Sequence, residues 1–147
     1  MKPVARSRKD FRWEGVPVTS YKAEGEPFRD VTRQILFGPE AGVACEVRYF
    51  EIEPGGHTAL EKHAHPHAVM LLRGEGRVLV GSEVFALEPL DIVRVPPMTW
   101  HQFRATGTLP LGFLCIVPAD RDRGVHPTEE ELRALRRNQA IDAFIRI

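Results

Sequence analysis

The sequence predicts an all-β barrel or sandwich closed by a C-terminal α-helix, and three observations predict it. Between residues 31 and 117 short β-prone runs follow one another with no helical period competing. Gly and Pro pairs break these runs at turn spacing, supplying the positive φ and preset φ that tight turns need. Beyond Pro118 the apolar spacing changes to that of an amphipathic helix. The chain has 147 residues, 43% of them hydrophobic and 27% charged, which is the size and balance of one globular domain.

Taken in order, residues 1–30 are expected to form an arm and short strands packed on the barrel, 31–117 the barrel itself, and 118–147 a linker and helix. The barrel runs are VTRQILF, ACEVRYFEI, HTALEKH, HAVMLLR, GRVLV, EVFAL, DIVRV, WHQFRA and LGFLCIV. Gly38-Pro39, Pro54-Gly55-Gly56, Gly74-Glu75-Gly76, Gly81-Ser82, Pro96-Pro97 and Thr106-Gly107 mark the turns, and Gly81-Ser82 reads as a two-residue hairpin. Trp100, Phe103, Tyr49, Phe50 and Met70 are expected in the core, and Arg48, Arg73, Arg94 and Arg104 on outward faces, where an inward one would favour an anionic substrate. In TEEELRALRRNQAIDAF, Leu132, Leu135, Ile141 and Phe144 recur at near-helical spacing, and Thr128 with Glu131 forms a capping-box pattern.

Composition narrows the class of function. Twenty basic and twenty acidic side chains cancel, so no overall field draws the chain onto nucleic acid or an anionic membrane. The start, MKPVARSRKDF, lacks the apolar stretch of a signal peptide, and a cytoplasmic location is expected. Cys45 and Cys115 each lie in an apolar run and read as free, buried thiols.

Four of the six histidines fall within GGHTALEKHAHPHAVMLLRGEG, and this is the strongest signal in the chain. On a strand alternate residues share a face, so Glu61 and His63 point the same way. A reversal at Ala64-His65-Pro66 then lets His67 face back toward them, and His101, just after the Pro-Pro turn, completes a site drawn from separate strands. Imidazoles with one carboxylate suit a divalent transition metal (Fe, Mn, Zn, Ni or Cu), with geometry deciding among them. His57 and His126 stand apart from the cluster and read as ordinary surface or core residues.

These residues resemble the cupin family. Its first motif runs from a Gly across five residues to His-x-His, then three or four residues to a Glu and six more to a Gly; its second places a His after a Pro-rich turn. The resemblance covers residues 54 to about 103 and implies a double-stranded β-helix, or jelly-roll barrel, holding one metal and often forming a homodimer. With five residues between, Gly55 is followed by Glu61, in the slot of the family's first histidine, with His63 in that of the second; with six residues between, Gly74 is preceded by His67, in the slot of the glutamate. The metal set is then Glu61, His63, His67 and His101. A competing register puts His65 in place of Glu61, and the fourth position stays open between them. Leu90 and Met98 stand where the family commonly has glycines, and Ala105 where it has an Asn.

The function expected is that of a metal-dependent enzyme on a small oxygen-rich or aromatic molecule, a dioxygenase first and an isomerase, lyase or cyclase second, with Glu61 or His65 as the base. The alternative from another class is a non-catalytic module that binds a small ligand or metal, and a metal that serves only to close the barrel is a third.

Overall fold

A computed structural model of the chain describes residues 3–21 and 27–147. Its strands, in chain order, are β1 (Ser7–Arg8), β2 (Arg12–Trp13), β3 (Thr19–Ser20), β4 (Arg29–Phe37), β5 (Cys45–His57), β6 (His67–Arg73), β7 (Gly76–Val80), β8 (Glu83–Leu87), β9 (Ile92–Val95), β10 (His101–Ala105) and β11 (Leu111–Pro118). Helices α1 (Glu129–Arg136) and α2 (Gln139–Phe144) follow. One antiparallel sheet, in the order β8-β7-β10-β5-β11-β6-β9 with β4 on β5 and β3 on β4, curls around the core as an all-β jelly roll. The 13-residue β5 makes the curl possible: its first half pairs with β11, and its last residue, His57, pairs with Arg104 of β10.

Period-two alternation sets the faces. On β5, Glu46, Arg48, Phe50 and Ile52 alternate with Val47, Tyr49 and Glu51, and Phe50 and Ile52 enter a core shared with Val69, Leu71, Phe103, Leu111, Phe113 and Cys115. The opposite face of β5 lies under the N-terminal arm, where Phe11 stacks on Tyr49 at 5.5 Å and Gln34 Nε2 donates to the Phe11 carbonyl. There Tyr49 donates to Glu51, and Gly112 on β11 leaves room for both, because a Cβ at that position would overlap the Tyr49 hydroxyl. Tyr49 is therefore buried beneath the arm and outside the barrel, and Met70 is on the outer face, 38% exposed. Trp100 packs in a separate cluster formed by Leu60 and Leu79 with Ile141, Phe144 and Ile145 of the C-terminal segment.

Three expectations change in detail. The turn foreseen at Pro54-Gly55-Gly56 is a bulge within β5, where the register steps from Val31↔Ile52 to Arg29↔His57. Gly55 at φ +82° and Asp30 at φ +55° absorb it. The run HTALEKH is extended only in part, with Glu61 and Lys62 in isolated bridges to His101 and Val125. The single C-terminal helix is two, because Asn138 leaves helical dihedrals and its side chain caps Ala140 N and Ile141 N to begin α2. The capping box of Thr128 and Glu131 opens α1, and Gly81-Ser82 joins β7 to β8. Leu90 and Met98 hold left-handed backbone, at φ +76° and +54°.

Candidate metal centre

His67 opens β6 and His101 opens β10, while His63 closes the segment that follows β5, so three histidines arrive at one end of the barrel from different parts of the sheet. One ligand nitrogen from each lies within 4.8 Å of the others. Their rings stand 4.5 to 5.2 Å apart. His63 Nδ1–H donates to the His65 carbonyl at 2.7 Å and His101 Nδ1–H to the Thr99 carbonyl at 2.9 Å. That leaves the Nε2 lone pair of each free, and both Nε2 atoms are buried without a hydrogen-bond partner. Two buried acceptors left bare in this way fit a cation between them, since a backbone acceptor on the other ring nitrogen is how proteins orient imidazole ligands.

Burial holds all three rings neutral at pH 7. The pKa of His101 is lowered to about 4, first by desolvation and then by the neighbouring rings against its bond to Thr99. Desolvation also lowers His63 and His67; for His67 the rings of His101 and His63 and the charge of Arg48 add to it. Neutral imidazole is the form that binds a metal.

The two contenders for the fourth position both lie at the cluster. The backbone bridge between Glu61 and His101 sets their side chains together, with Glu61 Oε1 3.9 Å from His101 Nε2. His65 stacks on His63 at 3.6 Å, and its Nε2 is 3.2 Å from His67 Nε2. Asp122, from the strap after β11, fixes this turn: it accepts from the Ala64 N–H, the His65 N–H and the His65 ring, and the Ala64 bond does most to hold its carboxyl below the ordinary range.

The histidines line one wall of a cavity of about 690 Å³. Arg33, Glu46, Arg48, Cys115 and Arg121 also line it, and sequence reasoning missed them. Arg48, expected outside, is 5% exposed and points inward, because it shares the Phe50–Ile52 face of β5. Its Nη2 donates to Cys115 Sγ at 3.2 Å. Burial pushes the Cys115 thiol up, and Arg48 opposes that. Glu46, Arg48, Phe50 and Ile52 alternate along β5, and Phe113, Cys115 and Val117 along β11, so each set shares one face, but alternation alone does not say which face is inside.

A curled antiparallel barrel with histidines gathered at one end defines a cupin, and the family model described as a Cupin domain matches residues 48–117. The chain belongs to the cupin family. It is 48% identical over 145 residues to the 1-methylthio-D-xylulose 5-phosphate methylsulfurylase of Rhodospirillum rubrum, covering 98% of this chain and 92% of that one. A solved structure of a cupin 2 conserved barrel domain protein from Rhodopseudomonas palustris superposes with a TM-score of 0.93 at 49% identity, over 98% of this chain and 99% of that one. A 5-nitrosalicylic acid 1,2-dioxygenase of Bradyrhizobium sp is 29% identical over 76 residues, 52% of this chain and 35% of its own. Relatives of the chain thus include metabolic enzymes. Among the described residues no helix is long and apolar enough to cross a membrane.

Proposed function

We propose that the chain is a metal-dependent enzyme acting on a small phosphorylated keto-sugar that carries a thioether, the kind of compound for which the Rhodospirillum relative is named. The observation that carries this reading is one cavity holding two bare buried histidine nitrogens, a buried arginine and a thiol. Identity of 48% over nearly the whole of both chains supports it over the dioxygenase reading, which rests on a partial match of 76 residues.

In this reading His63, His67 and His101 hold one divalent transition metal, with Glu61 as the fourth ligand because its backbone is bridged to His101. When bound, such a metal supplies a Lewis acid that polarises a carbonyl or enediol oxygen. His65, oriented by Asp122, carries a proton at the edge of the site. Cys115 sets a thiol on the same wall, with the chemistry to take part at a thioether sulfur. The protein is further read as a cytoplasmic homodimer without nucleic-acid or membrane partners, and the exposed apolar side chains Met70, Ile92 and Ile116 on the outer faces of β6, β9 and β11 support a self-association surface.

The test is turnover by metal-loaded protein of 1-methylthio-D-xylulose 5-phosphate in thiol-containing buffer, beside O2 consumption with 5-nitrosalicylate. Loss of the thioether, abolished in His63→Ala and His101→Ala, is the expected result. O2 consumption alone would favour the dioxygenase, and tight binding without turnover of either compound would favour a non-catalytic module.

A further inference from the structure

We propose that Arg48 and Arg33 form the subsite that binds the substrate's phosphate, an inference that rests on the sugar-phosphate reading of the same cavity. Arg48 is buried on the inner face of β5, its side chain 6% exposed. A guanidinium carries five donors. Here Nη2 reaches only the weak acceptor Cys115 Sγ, and Nε lies 3.7 Å from Glu46 Oε1 with no hydrogen bond. Glu46 is shared, since its Oε1 also lies 2.8 Å from Arg121, so one carboxylate faces two guanidinium groups and the face of the Phe50 ring is the other neighbour of the Arg48 charge. Buried charge with so few partners is costly unless a ligand supplies them.

Arg33 adds a second cation one row away, since it pairs with Phe50 across β4 and β5 while Arg48 pairs with Ile35. Its guanidinium rests 4.9 Å over the Tyr21 ring, and its buried Nε has no hydrogen-bond partner. Four arginines line the cavity against three carboxylates. Asp122 is engaged by His65 and its backbone, Glu46 by Arg121, and Glu61 lies at the histidine end. Two fork-shaped donors facing an apolar wall of Phe50 and Phe113 match a doubly charged phosphate monoester better than a single carboxylate.

The spacing suits one short substrate. Arg48 is opposite Cys115 on β11, which is opposite Val69 on β6, the strand that begins at His67. Two strand separations, about 10 Å, therefore lie between the backbones of β5 at Arg48 and of β6 near His67. A keto-sugar phosphate can then place its oxygen-rich end at the histidines and its phosphate at the arginines.

Isothermal titration of the metal-loaded protein with D-xylulose 5-phosphate, D-xylulose and inorganic phosphate tests this in wild type, Arg48→Met and Arg33→Met, with melting curves to confirm folding. The expected result is that each substitution weakens D-xylulose 5-phosphate and inorganic phosphate by roughly 10- to 100-fold and leaves D-xylulose unchanged. Unchanged phosphate affinity in both variants, or equal weakening of D-xylulose, overturns the subsite. If inorganic phosphate shows the dependence on Arg48 but no thioether sugar is turned over, the subsite stands and the proposed reaction falls.

Discussion

Metal removal gives the sharpest test of the site, because the structure sets its direction and mass action sets its size. The bare Nε2 atoms of His63 and His101 are buried, and the rings are neutral at pH 7, so a divalent ion binds the folded chain with little competition from protons. A ligand that binds only the folded state stabilises it by RT ln(1 + [L]/Kd), about 2.7 kcal/mol at one hundred times Kd. For a domain of this size 1 kcal/mol moves Tm by about 2–4 °C, so saturating metal is expected to raise Tm by roughly 5–10 °C. Chelation is expected to reverse that rise and leave the far-UV circular dichroism unchanged, because the barrel core of Ile52, Leu71, Leu111 and Phe113 is separate from the histidines. The assay is thermal melting with metal content measured in parallel, across Mn, Fe, Ni, Cu and Zn. His63→Ala and His101→Ala should abolish the rise. Glu61→Ala should reduce it more than His65→Ala. A rise that survives in His63→Ala and His101→Ala refutes the site, unfolding on chelation would show a metal that only closes the barrel, and the opposite order for Glu61 and His65 refutes the ligand set proposed here.

Other outcomes follow from single features. The metal-free protein should lose stability as pH falls from about 6.5 to about 4: above that window His101 is neutral whether folded or not, and within it only the unfolded chain takes the proton, so His101 contributes a loss of about 3 kcal/mol, to which His63 and His67 add in the same direction; urea unfolding at each pH measures it, and a pH-independent midpoint would refute it. Gly112→Ala should cost about 2–4 kcal/mol, because the new methyl must displace the buried Tyr49 hydroxyl from Glu51; an unchanged urea midpoint would show that β11 yields instead. Leu90→Gly with Met98→Gly should raise Tm by about 2–4 °C, since relief of left-handed strain at two exposed positions outweighs the added freedom of glycine in the unfolded chain. Cys115→Ser should retain metal and lower turnover at least tenfold; full activity would remove the thiol from the reaction.

The β-runs were legible because their faces differ so much in polarity. GRVLV and EVFAL meet as β7 and β8 across Gly81-Ser82 at the residues the turn chemistry indicated. What the pattern could not convey was where a long strand bends. Pro54-Gly55-Gly56 carries the composition of a turn, yet β4 follows β5 through it, since Asp30 takes up a positive φ opposite Gly55 and the pairing resumes at His57. The break between α1 and α2 was hidden for a related reason: Leu132, Leu135, Ile141 and Phe144 keep one apolar face across Asn138, so periodicity alone continues through a cap that the Asn138 side chain creates.

The candidate site divides along the same line. His63, His67 and His101 could be brought together from spacing, because each sits at a strand end beside a turn whose residues announce it. Arg48 could not, because its own run, ACEVRYFEI, is apolar enough on both faces that parity leaves open which one is inside. The arm settles it: Phe11 and Trp13 pack on Tyr49 and claim that face, and Arg48 is left in the barrel with Phe50. The N-terminal segment thereby decides which charge the histidines face. The cavity offers histidine nitrogens to one part of a substrate and the Arg48 and Arg33 guanidinium groups to another, so a substrate that engages both is held in one orientation. This is why removing Arg48 should alter how the sugar is held without emptying the metal centre, and why the two sets of residues can be tested apart.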